Sequence, residues 1–328
     1  MRKQMKKITG LLGIIGLLGV TVLGCGNQNT QNSTDTKIYL TLNEMDDFRQ
    51  TLVDAALEKA TEEGARLDVG DAGNVIETQV SLIKNAAAQS YDVILCGAVS
   101  IDTVVELKAS AGDTPIIFFN SCPDKKYLEK GKYVYVGSDE QVAGQYQAEY
   151  VLDKLASKDE INVVLLKGPK GHSATVGRTN GAKTTLQASG KKINYVFEDY
   201  ANWDAGQAKK LFELFLQTGS PVDCVICNND SMALGVVEAC KEAGIDLSTL
   251  PILGVDATAD GCAAIQNGEM AFTAYQSGLG QGQKAVEMAL SLAKNEAGQG
   301  IEGITEDGLY VWVPFERVDS SNVSSYMK

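Results

Sequence analysis

Short apolar runs that end in a polar side chain, each followed by a helical pattern, constrain the fold of this chain most. Residues 115–119 (PIIFF), 224–227 (CVIC) and 252–255 (ILGV) are three such runs, and we interpret each as a buried strand. In an open parallel sheet, ligands bind at the carboxyl ends of the strands. We therefore expect the polar residues after the runs to converge, as a set suited to an uncharged ligand rich in hydroxyls. They are Asn120, Asn228, Asn229, Asp230 and Asp256.

The charge balance excludes one class of partner. The chain carries 29 basic and 42 acidic residues, a formal charge of −13. Non-specific binding to nucleic acid requires a basic surface that displaces counterions. So acidic a chain has no such excess of positive charge, and we expect no nucleic-acid partner.

The N-terminus has the pattern of an export signal. Residues 1–24 begin with basic residues and continue as an apolar stretch rich in Leu and Gly, which is typical of a signal peptide. The stretch ends at Gly24-Cys25, a close variant of the bacterial lipoprotein box. We expect Cys25 to be lipidated and residues 25–36, which lack apolar periodicity, to tether the protein to the membrane. The alternatives are a short membrane anchor or an ordinary signal peptide.

The remaining cysteines do not predict a metal or redox centre. Cys224 and Cys227 form a CxxC pair, but residues three apart on a strand point to opposite faces of the sheet. The chain also has a single histidine, too few to complete a zinc site with this pair. We expect no cofactor and no metal, and the sequence leaves the disulfide state open.

From Lys37 onward, strand and helix patterns alternate regularly, which predicts an α/β fold with parallel sheets covered on both faces. The strands are too many for one open sheet, so we predict two Rossmann-like domains joined by a three-segment hinge. The first lobe would contain residues 37–138 and 275–309. The second lobe would contain residues 139–274 and 310–328.

The chain resembles the type I periplasmic sugar-binding proteins, and most closely the galactose/glucose-binding proteins of bacterial ABC transporters. The resemblance runs from about Lys37 to the C-terminus, and its segments are specific only as a set. It implies a monomer that closes on a monosaccharide between its lobes and delivers it to a membrane permease. The segments are DDFRQTLVDAALEKA, PIIFFN, YVYVGSDE, VVLLKGPKGH, ANWDAGQAKK, VICNNDSMALGVVEA, ILGVDATADG and VWVPFERVD.

The resemblance also implies a set of ligand contacts. Phe48 and Trp203 match the two aromatic rings that sandwich the sugar in this family, an arrangement that suits the C–H groups on both faces of a pyranose. The matching polar positions are Asp46, Asn120, His172, Arg178, Asn229, Asp256 and Gln276.

Each candidate contact has a simpler structural alternative. Phe48 would serve equally as a core residue on a helix face, and Asp46 as a helix N-cap. Asn and Asp after strands are also common turn residues. His172, the single histidine of the chain, would otherwise be an ordinary surface residue.

Two departures from the family pattern stand out. Ala174 replaces an expected Asp between the His and the Arg, which leaves the particular sugar and its anomer open. The stretch 156–161 is too short for the calcium loop found in the relatives and lacks its oxygen ligands, so we predict no calcium there.

Three other functions are compatible with parts of the sequence. The first is an enzyme. The sequence motifs of nucleotide-binding enzymes are incomplete in this chain. A glycosidase would use paired carboxylates, but no pattern in the sequence distinguishes an acid–base pair from carboxylates that only form hydrogen bonds. A sugar-responsive transcription regulator needs a DNA-binding helix pair where this chain carries an export signal. A ligand-binding protein for a chemoreceptor or sensor kinase would use the same cleft, and the sequence leaves it open.

Overall fold

The computed structural model describes residues 36–327. The predicted signal peptide and Cys25 lie outside the described residues. Within them, no helix is both long and apolar enough to span a bilayer.

Strands and helices alternate along the chain, as the sequence pattern predicts. The strands are β1 (Lys37–Leu42), β2 (Arg66–Asp71), β3 (Val93–Cys96), β4 (Ile116–Phe119), β5 (Tyr133–Gly137), β6 (Glu160–Lys167), β7 (Lys192–Tyr200), β8 (Cys224–Cys227), β9 (Ile252–Leu253), β10 (Phe272–Tyr275), β11 (Tyr310–Trp312) and β12 (Glu316–Asp319). The α-helices are α1 (Asp47–Glu62), α2 (Ile76–Ala88), α3 (Val104–Ala111), α4 (Glu140–Lys154), α5 (Ser173–Ala188), α6 (Ala205–Gln217), α7 (Asp230–Ala243), α8 (Ala259–Gln266) and α9 (Gly278–Ala293), with 3-10 helices at Ile101–Thr103, Lys125–Tyr127 and Val323–Ser325.

The strands of the described region form two six-stranded sheets, one in each lobe. The first has the order β11-β5-β4-β3-β1-β2 and is parallel throughout. The second has the order β12-β10-β9-β8-β6-β7, with β12 antiparallel to its neighbour. The predicted fold of two α/β domains is confirmed.

Helices cover both faces of each sheet, which explains why the central strands are continuous apolar runs. Every residue of β8 is buried. Cys224 packs into the core on one face of the second sheet and Cys227 into the core on the other. The prediction that the CxxC pair points to opposite faces is therefore confirmed, and both residues are free thiols.

In residues 36–327 the chain crosses between the sheets three times: after β5, after β10 and after β11. After the second crossing, α9 packs against α1 of the first lobe. Gly282 permits this close approach, since a Cβ there would lie 2.3 Å from the carbonyl oxygen of Leu52.

The predicted domain limits need two corrections. Residues 310–312 were assigned to the second lobe, but β11 pairs with β5 in the first sheet, so the third crossing follows Trp312. Tyr275 was placed in the first lobe, but it ends β10 in the second sheet. Strand β12, which was not predicted, then completes the second sheet. Three-residue strands carry too little pattern to reveal which of two sheets they join.

Candidate functional site

A cavity of about 460 Å³ lies between the lobes and is lined by residues that follow the carboxyl ends of the strands. This volume falls within the usual range for small-molecule sites. All nine predicted contacts line it. That they bind a ligand stays a prediction. From the first lobe come Asn43, Glu44, Asp46, Phe48, Arg49, Asn74, Val99 and Asn120; the second lobe and the hinge supply Pro169, His172, Ala174, Arg178, Asn202, Trp203, Asn229, Asp256 and Gln276.

The two aromatic side chains come from opposite lobes. Phe48 lies in the first turn of α1 and packs in part against the core of the first lobe. Trp203 lies in the loop between β7 and α6 and packs in part against the core of the second lobe. Both rings line the same cavity, as a sandwich around a flat ligand requires.

Several cavity residues have an unusual backbone conformation. Asn120, Trp203 and Asp256 have positive φ angles of 59°, 64° and 112°. Such conformations cost on the order of 1–3 kcal/mol for a residue other than Gly, and they cluster at functional sites. The surrounding structure also holds the Trp203 ring in place: a Cβ at Gly168 would lie 2.2 Å from it, so this position has no room for a side chain.

Arg178 is the centre of a buried hydrogen-bond network in the wall of the cavity. It donates through Nε to Glu140 Oε2 at 2.6 Å and through Nη1 to the carbonyl oxygen of Asn228 at 2.7 Å. Longer contacts reach Asp256 at 3.3 Å and Gln276 at 3.4 Å. The guanidinium also lies 5.7 Å from the centre of the Trp203 ring.

Close packing of α4 and α5 makes the contact between Glu140 and Arg178 possible. A Cβ at Gly144 would lie 1.9 Å from the carbonyl oxygen of Arg178, and one at Gly181 would lie 2.0 Å from that of Gln141. The two helices can therefore approach until the Glu140 carboxylate, buried at the start of α4, meets the guanidinium. Sequence reasoning missed Glu140, because nothing along the chain links it to a residue 38 positions away.

Gln276 lines the cavity, but both ends of its amide already have protein partners. Its Oε1 accepts from Arg178, and its Nε2 donates to Glu140 Oε1 at 3.1 Å. The side chain is buried. In this geometry Gln276 holds the Arg178–Glu140 pair in place directly after β10, where the second crossing between the lobes begins.

Three of the predicted contacts also cap helices: Asn229, Asp46 and His172, whose ring caps α5. Asn229 Oδ1 accepts the backbone N–H of Met232 at 3.0 Å, at the start of α7. Its Nδ2 is left to donate into the cavity. The carboxylate of Asp46 caps α1 by accepting from the backbone N–H of Arg49 at 2.8 Å, and it also pairs with the Arg49 guanidinium. The N-cap alternative for Asp46 is therefore what the structure shows, although the residue also lines the cavity.

His172 is a neutral hydrogen-bond donor in this site. Burial, together with the charges of Arg178 and Arg49, lowers the pKa of His172 to about 4, so the ring is uncharged at neutral pH. Its Nδ1 accepts the backbone N–H of Ala174 at 3.2 Å, which places the proton on Nε2. That nitrogen lies 3.5 Å from the hydroxyl of Ser121 in the opposite lobe.

Two carboxyl groups of the second lobe have raised pKa values. Burial raises the pKa of Asp256 to about 7, while Arg178 opposes the shift. Burial also raises the pKa of Asp230 to about 6, although Thr273 and Thr258 donate hydrogen bonds to it. Asp230 is fully buried beneath the loop that carries Asp256. The sequence places Asp230 directly after Asn229 at the end of a strand, but it does not reveal that the carboxyl group is buried beneath this loop.

The two departures from the family pattern lie at the cavity wall and near the start of β6, and the absence of calcium binding stays a prediction. Ala174 is buried at the cavity wall and offers no acceptor there. In the stretch predicted to lack a calcium loop, Glu160 begins β6 and pairs with Lys192. No group of three or more potential metal ligands occurs in the described part of the chain.

Two α/β lobes, three crossings and a polar cleft with an aromatic ring from each side define a two-lobed solute-binding protein. Comparison with known families agrees: the model for the periplasmic binding protein domain matches residues 38–297. The chain belongs to this family and is a type I periplasmic sugar-binding protein related to the galactose-binding proteins. Membership implies an extracytoplasmic location, with a sugar and an ABC transporter as partners.

Individual relatives cover nearly the whole chain. The D-galactose/methyl-galactoside binding periplasmic protein MglB of Haemophilus influenzae is 29% identical over 93% of this chain and 96% of its own. A xylitol-binding protein of Mycolicibacterium smegmatis is 29% identical over 92% of this chain and 83% of its own. A solute-binding protein of an ABC transporter from Bacillus halodurans, solved with myo-inositol, superposes with a TM-score of 0.77 at 27% identity and covers 90% of this chain and 98% of its own. These relatives are binding proteins, and the prediction that the chain is not an enzyme is confirmed.

Proposed function

We propose that this protein, as a monomer, captures one uncharged monosaccharide or similar ring polyol in the cleft between its lobes and delivers it to an ABC importer. The observation that carries the proposal is the cavity with Phe48 on one lobe and Trp203 on the other. A ring with C–H groups on both faces fits between two aromatic side chains, and its hydroxyls then meet the polar groups at the edge.

The charges around the cavity disfavour an anionic ligand. Asp46 pairs with Arg49 in the first lobe, and Arg178 pairs with Glu140 and Asp256 in the second. Each guanidinium at the cavity therefore already has a carboxylate partner. An anionic ligand would lose its hydration on binding and find no unpaired positive charge in the cavity wall to replace it.

A galactose- or glucose-like sugar is the first candidate, because the resemblance to the galactose-binding proteins includes the aromatic and polar positions of the cleft. The relatives also include proteins that are named for xylitol or were solved with myo-inositol or D-allose. These compounds share several adjacent hydroxyls. Ala174 removes one acceptor from the wall, and a ligand that needs fewer acceptors there would be favoured.

Binding would stabilise the closed arrangement of the lobes. Each lobe supplies one ring and part of the polar edge, so a ligand gains the full set of contacts only when the lobes close on it. A ligand with this differential affinity shifts the population toward the closed state. The closed surface is then the form that a permease would recognise.

Cys25, at the end of the predicted signal peptide, would be acylated after export. Residues 25–36 would then link the binding lobes to the cell membrane. The basis is the sequence alone: a basic start, an apolar stretch and a Cys after a small residue.

The proposed function is tested by finding a ligand and then substituting Trp203, one of the two tryptophans of the chain. We expect a thermal-shift panel of D-galactose, D-glucose, D-allose, D-ribose, xylitol and myo-inositol to reveal a ligand, because a ligand of the native state raises the melting temperature. With that ligand, Trp203→Ala should weaken binding in calorimetry by about 2 kcal/mol or more, through the lost stacking and the opened cleft.

Fluorescence supplies the matched control. Trp312 lies on β11 and does not line the cleft cavity. A ligand-induced change in emission should persist in Trp312→Phe and be much smaller in Trp203→Phe, where only closure of the lobes beside Trp312 can still alter the emission. If no compound of the panel binds, or if Trp203→Ala binds like the wild type, the proposed site is wrong.

A further inference from the structure

Arg49 is a cleft residue outside the set of predicted ligand contacts. It lies in the first turn of α1, beside Phe48, and lines the cavity. Its side chain is only 13% exposed. One end of its guanidinium pairs with the Asp46 carboxylate, and the other end, Nη2, donates to Asn120 Oδ1 at 3.3 Å. Arg49 therefore joins two predicted ligand contacts that are 74 positions apart along the chain.

The contact with Asn120 determines which end of the amide is available to a ligand. A carboxamide has an acceptor oxygen and a donor nitrogen of nearly equal size, so an isolated Asn can present either. Since the guanidinium has donors and no acceptor, it selects the oxygen. Asn120 Nδ2 is then the end left for the cleft, and Asn120 acts as a donor.

We propose that Arg49 is a positioning residue for ligand recognition: its forked guanidinium, anchored at one end by the Asp46 carboxylate, fixes the Asn120 amide with the nitrogen toward the ligand. The inference rests on the proposed function, because the group it orients is a proposed sugar contact. It assigns to the first lobe a device like that of the second, in which Arg178 holds the amide oxygen of Gln276.

The surroundings favour a positioning role over a direct role in binding. The charge of Arg49 is already paired with Asp46, and its Nε is buried without a hydrogen-bond partner among the residues the structure describes. The guanidinium is thus held by its surroundings and has no accessible Nε to offer. Its charge nevertheless extends across the cleft, where it contributes to lowering the pKa of His172. Arg49 therefore helps to keep His172 a neutral donor.

Arg49→Met keeps an unbranched side chain that reaches as far as the position of Nε and removes every hydrogen-bond donor. With the best binder among D-galactose, D-glucose, D-allose, D-ribose, xylitol and myo-inositol, we expect its Kd to rise at least about tenfold, since the Asn120 amide is free to turn. Arg66→Met is the matched control, because Arg66 pairs with Asp68 on the exposed edge of the same lobe. Its Kd should equal that of the wild type.

A double-mutant cycle separates positioning from direct contact. Asn120→Gly removes the amide at a backbone position whose φ of 59° suits Gly. If Arg49 acts through Asn120, Arg49→Met should change the Kd less than about twofold in the Asn120→Gly background, because interacting residues are not additive. The melting temperatures of the unliganded variants, measured in parallel, separate a folding defect from a binding defect.

Three results would overturn the inference. An unchanged Kd in Arg49→Met would show that the amide needs no such support. Fold-changes that multiply in the double variant would show that Arg49 acts independently of Asn120. If the wild type binds none of these compounds, the proposed function is refuted, and this inference with it. The first two results, in contrast, leave the proposed function standing.

Discussion

Glu140→Gln tests whether the buried network around Arg178 holds the second lobe and the hinge together. The Glu140 carboxylate accepts two hydrogen bonds, one from Arg178 Nε at 2.6 Å and one from Gln276 Nε2 at 3.1 Å. Glutamine has the same shape but a single acceptor oxygen. One buried donor is left unpaired, and Arg178 loses its nearest opposite charge.

The size of the effect follows from burial. The side chains of Glu140 and Arg178 are 7% and 5% exposed, so solvent cannot replace the lost partner. Removing one member of a buried ion pair costs roughly 3–5 kcal/mol. Because Asp256 remains 3.3 Å from the guanidinium and Gln still accepts one bond, we expect a loss near the lower limit, about 3 kcal/mol. That corresponds to a fall in melting temperature of roughly 6–12 °C.

The same helix supplies a matched control. Glu149 also pairs with an arginine, Arg317, but these side chains are 31% and 50% exposed. Exposed pairs contribute about 0–1 kcal/mol, so Glu149→Gln should change stability little. Urea unfolding followed by circular dichroism, without sugar, compares both variants with the wild type. Equal losses in the two variants, or a loss below about 1 kcal/mol in Glu140→Gln, would refute the argument from burial.

Two other predictions concern the N-terminus and the pH dependence of stability. Radiolabelled palmitate should be incorporated by the wild type and by Cys122→Ala but not by Cys25→Ala in a bacterial host; labelling of Cys25→Ala would contradict lipidation at that residue. The pKa of Asp230 in the folded protein, about 6, lies above its ordinary value of 3.8, so its contribution to stability is fully present below about pH 4 and is lost as the pH rises through 6. The stability advantage of the wild type over Asp230→Asn should therefore fall between pH 4.5 and 7.5, by on the order of 2 kcal/mol, in urea titrations, and a constant or rising difference would show that the group is not protonated in the fold.

The sequence predicted the architecture well because the signals for it are local. Apolar runs of four residues, such as β4 and β8, are followed by helices, and this alternation alone implies parallel sheets. The opposite directions of Cys224 and Cys227 follow from the strand period of two. Where the local signal is short, as at β11 and β12, the sequence did not reveal which sheet the strand joins.

The residues of the cleft were predictable by type and position, but their hydrogen-bond roles were not. Asn120 and Asp256 follow strands, and that position alone brings them to the cleft. The partners that orient them lie elsewhere along the chain: Arg49 for Asn120, and Arg178 for Asp256. No pattern in a single sequence links such pairs, because the fold brings them together only after the sheets form.

Hydrogen-bond direction, more than residue type, decides what the cleft can recognise. His172 presents a donor because Ala174 N–H occupies its other nitrogen, and Asn229 presents a donor because Met232 N–H occupies its oxygen. The second lobe therefore offers neutral donors beside one carboxyl group, Asp256. Ala174, at the position where an Asp was expected, supplies no second carboxyl group. A ligand hydroxyl can accept a hydrogen bond from these neutral donors and donate one to the Asp256 carboxyl group. A ring oxygen can only accept, so it fits best against the donors. A cyclitol has no such oxygen, which is why comparing D-galactose with myo-inositol probes the hydrogen-bond polarity of this wall directly.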